Sequence, residues 1–304
     1  MTKKIRLSLS AMLFACFSVQ VTAQIPFGAC ATAGPTQSGR SFLLNQRIGP
    51  VNGNCLVIDA NNVTIDLNGF GIRGTGAGTG IRVQPGRTGV VIKNGTITNF
   101  DRGIFGQQAS VRVTNVSVNS TGTNTIDNGI ELGFGSQVIN SRVTGGGSGI
   151  LVAGNALIAS NVVRRSGNGI VCGGSSTAPV GGCFVRDNQT EGADTDGILV
   201  FGAGGVIRGN TVVGSGDEGI AILGFGNLVQ GNSVQQSGSI GLFANIGSNV
   251  RDNVVIASGD EGMIIECPSL VESNAVNDSG VTAPGTPNLR LNGAGCLRPN
   301  NLAP

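Results

Sequence analysis

The chain has no histidine, no tryptophan and no tyrosine, and aromatic residues make up only 4 % of its 304 positions. Without histidine, and without close Cys-x-x-Cys pairs, the usual ligand sets of a zinc site are missing. The lack of tryptophan and tyrosine removes the usual stacking platforms for pyranose faces. Charged residues are scarce as well, at 12 %. No stretch beyond the N-terminus carries a sustained helical apolar period, and none is apolar enough to span a membrane. What is abundant is glycine, 52 residues without a collagen period, which points to many tight turns.

The N-terminus reads as an export signal. Lys3, Lys4 and Arg6 precede the apolar run "LSLSAMLFACFSV", and "VTA" supplies small residues for cleavage after Ala23. The rival reading is lipid attachment at Cys16. Removing residues 1–23 takes away three cations and no acids, so the net charge moves from +2 to −1. Such a surface has no electrostatic reason to bind nucleic acid or anionic lipid. Six cysteines remain, Cys30, Cys55, Cys172, Cys183, Cys267 and Cys296. An even count in an exported chain favours disulfides over metal.

Two signals recur with one period. Gly-apolar pairs stand at Gly197-Ile198, Gly219-Ile220, Gly241-Leu242 and Gly262-Met263, spaced 22, 22 and 21, after Gly129-Ile130, Gly149-Ile150 and Gly169-Ile170, spaced 20 and 20. Beside them runs apolar-x-x-Asn, ending at Asn161, Asn188, Asn210, Asn232, Asn253 and Asn274, with Asn94 as an earlier copy and Ser141 as a variant. A period of this length indicates a solenoid. Short Val/Ile-rich runs alternating with Gly, Asn and Ser indicate three short strands and three turns per coil. The asparagines are expected to stack as an amide ladder, and the glycines to mark a turn leading into a strand.

"LVIDANNVTIDLNGFGIRG" followed by "GVVIKNGTITNFDRGI" resembles bacterial parallel β-helix repeat chains of the pectate-lyase-like superfamily, over roughly residues 50–290. The resemblance implies an all-β, right-handed parallel β-helix. About ten coils are expected: a cleaved segment 1–23, an N-terminal cap 24–56, the helix 57–290 and a tail 291–304. Two longer repeats, Gly103 to Gly129 and Gly169 to Gly197, place extra loops at "NSTGTNT" and "CGGSSTAPVGGC". Six cysteines allow fifteen pairings. Nearest-neighbour pairing, 30–55, 172–183 and 267–296, would staple both ends and the larger loop.

The chemistry-bearing phrase is "SGDEG", at 215–219 and again at 258–262, two coils apart. One reading is turn chemistry, since Asp and Asn before Gly tolerate tight turns. The other starts from a second resemblance: "DTDGILV" and "GDEGIAI", one coil apart, are similar to the N-T-D-G and G-D-D-C-I-A-I motifs of polygalacturonase-type glycosidases. That resemblance implies catalytic roles for Asp196, Asp217 and Glu218, with Asp194 in place of the asparagine as a substrate contact. Paired carboxylates on one face are what glycoside hydrolysis needs. The family's G-H-G is absent, because the chain has no histidine, and no R-I-K clamp is found. A calcium-dependent polyuronate lyase is the alternative enzyme, with acids of the strip for calcium and Arg186, Arg208 and Arg251 as an outward column toward substrate carboxylates. Otherwise no cofactor is implied. The partner expected is a polysaccharide or cell-surface glycan, and the non-enzymatic alternative is a secreted scaffold or adhesin. Phe134, Phe201, Phe225 and Phe243 are expected as core stacks or turn plugs.

Overall fold

The computed structural model describes residues 24–122, 127–173, 181–280, 288–297 and 300–301. The proposed export signal, part of the "NSTGTNT" loop and most of the "CGGSSTAPVGGC" loop lie outside the described residues.

The described chain is a parallel β-solenoid of about eleven turns, with one short 3-10 turn at Pro35–Gln37 as its only helix among the described residues. Each coil contributes to three ladders. Strands such as Phe184–Arg186, Val206–Arg208 and Leu228–Gln230 build the first. Gln189–Glu191, Thr211–Val213 and Ser233–Gln235 build the second. Ile198–Val200, Ile220–Ile222 and Leu242–Ala244 build the third, a 12-stranded sheet that runs the length of the molecule. All pairings are parallel, so rungs repeat every ~4.8 Å.

The core follows from the repeat. Ile130, Ile150, Ile170, Ile198, Ile220, Leu242 and Met263 form one inward column, and Val138, Ile158, Val185, Ile207, Val229, Val250 and Val271 another, all fully buried. Stacked β-branched side chains fill the bore and present no polar group that would need a partner there.

The amide ladder forms at the corner between the first and second ladders. From Asn161 to Asn274 each Nδ2 donates to the Oδ1 of the asparagine on the next coil, at 2.9–3.1 Å. The same Oδ1 accepts the backbone N–H of the preceding asparagine. A seventh member, Asn301, closes the ladder from the C-terminal segment. Asn94 is not a member. The ladder place on its coil is Gly95, which pairs with Val116 and thence aligns with Ser141. Asn94 sits one residue earlier, in the left-handed conformation (φ 61°) that the residue before the ladder also adopts at Ser160, Asp187 and Asp252. Asparagine tolerates that region better than most residues.

The recurrent glycines do stand where a turn leads into the third ladder, but conformational freedom is not what they supply. None of Gly197, Gly219, Gly241 and Gly262 has a positive φ. A Cβ on Gly219 would lie 2.2 Å from Val234 Cγ1 and 2.5 Å from the Gly241 carbonyl oxygen, and the same clash repeats on each coil. The column is glycine because the second ladder's valines pack against its backbone.

The three disulfides join Cys30 to Cys55, Cys172 to Cys183 and Cys267 to Cys296. The last strand, Leu289–Asn292, is the final rung of the third ladder, and the Cys267–Cys296 bridge ties the segment after it back to the coil before. Phe134 and Phe225 are half exposed and so are neither core nor plug; Phe201 and Phe243 are partly covered.

Candidate functional site

The turn from the second ladder into the third carries one column of residues two places before each core Ile, Leu or Met. Strand register reads it as Asn128, Ser148, Asn168, Asp196, Glu218, Ile240 and Glu261 on successive coils. Asp196 and Glu218 are therefore neighbours one rung apart, and Asp217 precedes Glu218. Carboxylate oxygens of Asp196, Asp217 and Glu218 all lie within 4.8 Å of one another. Asp194 is exposed two residues before Asp196 and does not join this trio.

Asp196 Oδ1 accepts the Glu218 backbone N–H at 3.2 Å. Asp196 and Glu218 are half-buried and Asp217 is exposed. Partial burial pushes the Glu218 carboxyl up to about 7, reinforced by a hydrogen bond to Asp196 and by the charges of Asp196 and Asp217. Burial raises Asp196 as well, partly offset by its hydrogen bonds to Glu218, while the charge of Asp217 raises it further. Both facing carboxyls are thus held above their ordinary range, and Glu218 keeps its proton up to about 7.

The second copy of the phrase has different surroundings. Ile240 interrupts the column between Glu218 and Glu261. Glu261 is paired with Arg290 Nη1 at 3.0 Å, and Asp260 accepts a hydrogen bond from Ser239. The serines of both phrases, Ser215 and Ser258, are turned inward and buried, so neither offers its hydroxyl to solvent. "SGDEG" is a turn that the fold repeats. What distinguishes the first copy is Asp196 on the coil below.

The arginines stand elsewhere. Arg186 and Arg208 are adjacent on the outer side of the first ladder, Gln230 follows, then Arg251. Arg186 pairs with Asp187 at 3.0 Å, and Arg251 donates to Gln230 at 3.4 Å. A whole strand of the second ladder and the following turn separate this column from the acids, so the two sets do not meet. A cation near the acids that sequence reading missed is Arg165. It occupies the left-handed place after a second-ladder strand (φ 50°), where the flanking coils have Gly145 and Gly192. Its signal in the sequence was weak, because arginine there breaks no pattern of polarity.

Residues 168–283, which include the acidic trio, match the family model described as "Right handed beta helix region". The chain is a right-handed parallel β-helix. Two solved structures share this β-helix. One is the Dettilon tailspike protein gp208, at 15 % identity and a TM-score of 0.59, covering 88 % of this chain and 61 % of that one. The other is a mannuronic acid specific polysaccharide family 6 lyase from human gut microbiota, at 13 % identity and a TM-score of 0.59, covering 84 % of this chain and 75 % of that one. The β-helix thus spans about three fifths of the tailspike's length. No curated protein is significantly similar to it in sequence. No helix among the described residues is long and apolar enough to cross a membrane.

Proposed function

We propose that this β-helix is an exported protein that hydrolyses a polysaccharide at Asp196, Asp217 and Glu218. The observation that carries the reading is the trio itself: three carboxyls converge across two stacked turns, and one of them stays protonated to about 7. Glu218 is the general acid, giving its proton to the leaving glycosidic oxygen. Asp217, exposed beside it, takes a proton from the water whose oxygen bonds to the anomeric carbon. Asp196 is a positioning residue that holds the proton on Glu218 through their hydrogen bond. A carboxyl that keeps its proton to about 7, with a second acidic side chain beside it, is what acid and base roles in one site need. Polysaccharide as substrate is supported by the fold shared with the gut lyase named above, and export by three disulfides and the basic-apolar N-terminus. The residue boundaries 1–23, 24–56, 57–290 and 291–304 remain part of this proposal.

The second reading is a calcium-dependent lyase. The same three carboxylates are hard oxygen donors and fit that cation. Calcium would need Glu218 ionised and so would compete with its proton, which separates the two readings. The test is product chemistry with and without calcium. New reducing ends without the ultraviolet absorbance of an unsaturated sugar support hydrolysis; that absorbance, dependent on calcium, supports the lyase.

A further inference from the structure

Next to the acidic trio, toward the N-terminal end, lies a cavity of about 290 Å³ that the proposed hydrolysis does not use. Its floor is backbone. Gly145, Gly146, Gly147 and Gly167 line it, and Gly146 has a φ of 94° that a side chain would strain. The coils stack so closely that a Cβ on Gly167 would lie 2.3 Å from the Gly147 carbonyl oxygen. Successive glycines therefore keep this turn free of side chains, and a ligand can approach the main chain.

The walls carry the chemistry. Arg165 lines the cavity, and among the described residues its guanidinium has no carboxylate partner; its neighbour Arg164 instead pairs with Glu191 at 2.9 Å. Asn168 stands in the same column as Asp196, one rung away. Its Oδ1 lies 2.8 Å from Thr195 Oγ1, a hydroxyl that also donates to the Gly167 carbonyl at 3.0 Å, and its Nδ2 has no partner among the described residues. Asp194 also lines it, on the next rung, where its N–H donates to the Ser166 carbonyl at 2.9 Å, and its carboxylate offers acceptors. Two sets of unengaged donors, one of them a planar cation, thus share a cavity with one acceptor beside the proposed point of cleavage.

We infer that this cavity is a subsite for a carboxylate-bearing sugar, with Arg165 as the residue that reads its charge. The guanidinium fork matches a carboxylate with two parallel hydrogen bonds. Asn168 Nδ2 adds a third donor, and Asp194 accepts from a ring hydroxyl. The inference rests on the proposed site for its position, and it names the substrate class as an acidic glycan.

The test uses the full protein and hexamers of mannuronate, guluronate and galacturonate, each with its carboxyl-reduced counterpart, in calorimetric titrations at low salt. Arg165→Gln is the main variant. Glutamine is safe for the fold, because Gln236 holds the same left-handed place two coils after Gly192. At least one uronate hexamer is expected to bind the wild type about tenfold tighter than its reduced form, the size of one charge-assisted hydrogen bond. Arg165→Gln is expected to erase that preference while leaving affinity for the reduced form unchanged. A wild type that shows no preference in any of the three pairs overturns the inference. So does a variant that loses both forms equally, or tighter binding of a sulfated galactan hexamer than of every uronate. The two proposals fail separately. Preferential binding without cleavage sinks hydrolysis and leaves the subsite, and cleavage of neutral glycans alone sinks the subsite and leaves hydrolysis.

Discussion

Replacing Glu218 by glutamine should make the protein more stable above neutral pH and leave it unchanged in acid. The ordinary glutamate value is 4.5, and in the fold it is pushed up to about 7 by partial burial, by the hydrogen bond to Asp196 and by the charges of Asp196 and Asp217. Below 4.5 the group is protonated both folded and unfolded, and it contributes no pH dependence. Between 4.5 and 7 the unfolded chain ionises while the folded chain does not, so stability falls as pH rises, and the loss is complete above about 7. A tenfold change in proton affinity is worth about 1.4 kcal/mol, but the side chain is only half-buried and solvent screens the penalty. A loss of about 1–2 kcal/mol is the realistic size. Glu218→Gln cannot ionise and escapes it. The assay is the thermal midpoint of wild type and variant from pH 4 to 8.5. The two should coincide at pH 4 and part by about 2–6 °C at pH 8. Asp196→Asn removes one charge and one hydrogen bond but not the burial, so it should show a smaller gain. A Glu218→Gln protein that tracks the wild type at every pH refutes the account of the carboxyl pair.

Other consequences are equally direct. Asp217→Asn should abolish glycan cleavage while Asp260→Asn, in the second copy of the phrase, leaves it within about twofold; equal effects of the two would mean that the first copy is not special. Asn232→Ala strips a buried side chain of bonds to Asn210, Ile207 and Asn253 and should cost about 2–5 kcal/mol in denaturant unfolding. Asn94→Ala, off the ladder, should cost under about 1 kcal/mol. Gly219→Ala drives a methyl into Val234 and the Gly241 carbonyl and should cost about 1–3 kcal/mol. Gly231→Ala meets open space but a φ of 63° and should cost about 1–2 kcal/mol for conformation alone.

The fold was legible because a solenoid writes the same local problem on every coil. Val138 through Val271 and Ile130 through Met263 each solve one position in the bore, so periodicity alone exposes them. Among the cysteines only Cys172 and Cys183 bracket a break in the period, the other pairs flank the two ends, and the nearest-neighbour pairing, one of fifteen, is the one that forms. The errors lie where two neighbouring places accept the same residue. Asn94 satisfies a left-handed turn rather than the ladder beside it, and only pairing register distinguishes them. Asn301 escaped notice because it reaches the ladder from a segment with no repeat of its own. The glycine column was visible, but its cause was not, since contact with Val234 and its equivalents is a cross-coil fact. At the candidate site the acids were legible as a strip. The convergence of Asp196, Asp217 and Glu218, and the contrasting pairing of Glu261 with Arg290, depend on which side chains the stacking brings together.

The central claim is that Glu218 delivers a proton to a glycosidic oxygen. The pH dependence of polysaccharide cleavage tests it most directly, read as new reducing ends from wild type and Glu218→Gln across a panel of acidic and neutral glycans. The wild type should cleave at least one acidic glycan, with a rate that falls as pH rises through about 7, and the variant should be inactive throughout while remaining folded. Cleavage by Glu218→Gln at the wild-type rate, or a wild-type rate that is flat through that pH range, would contradict it.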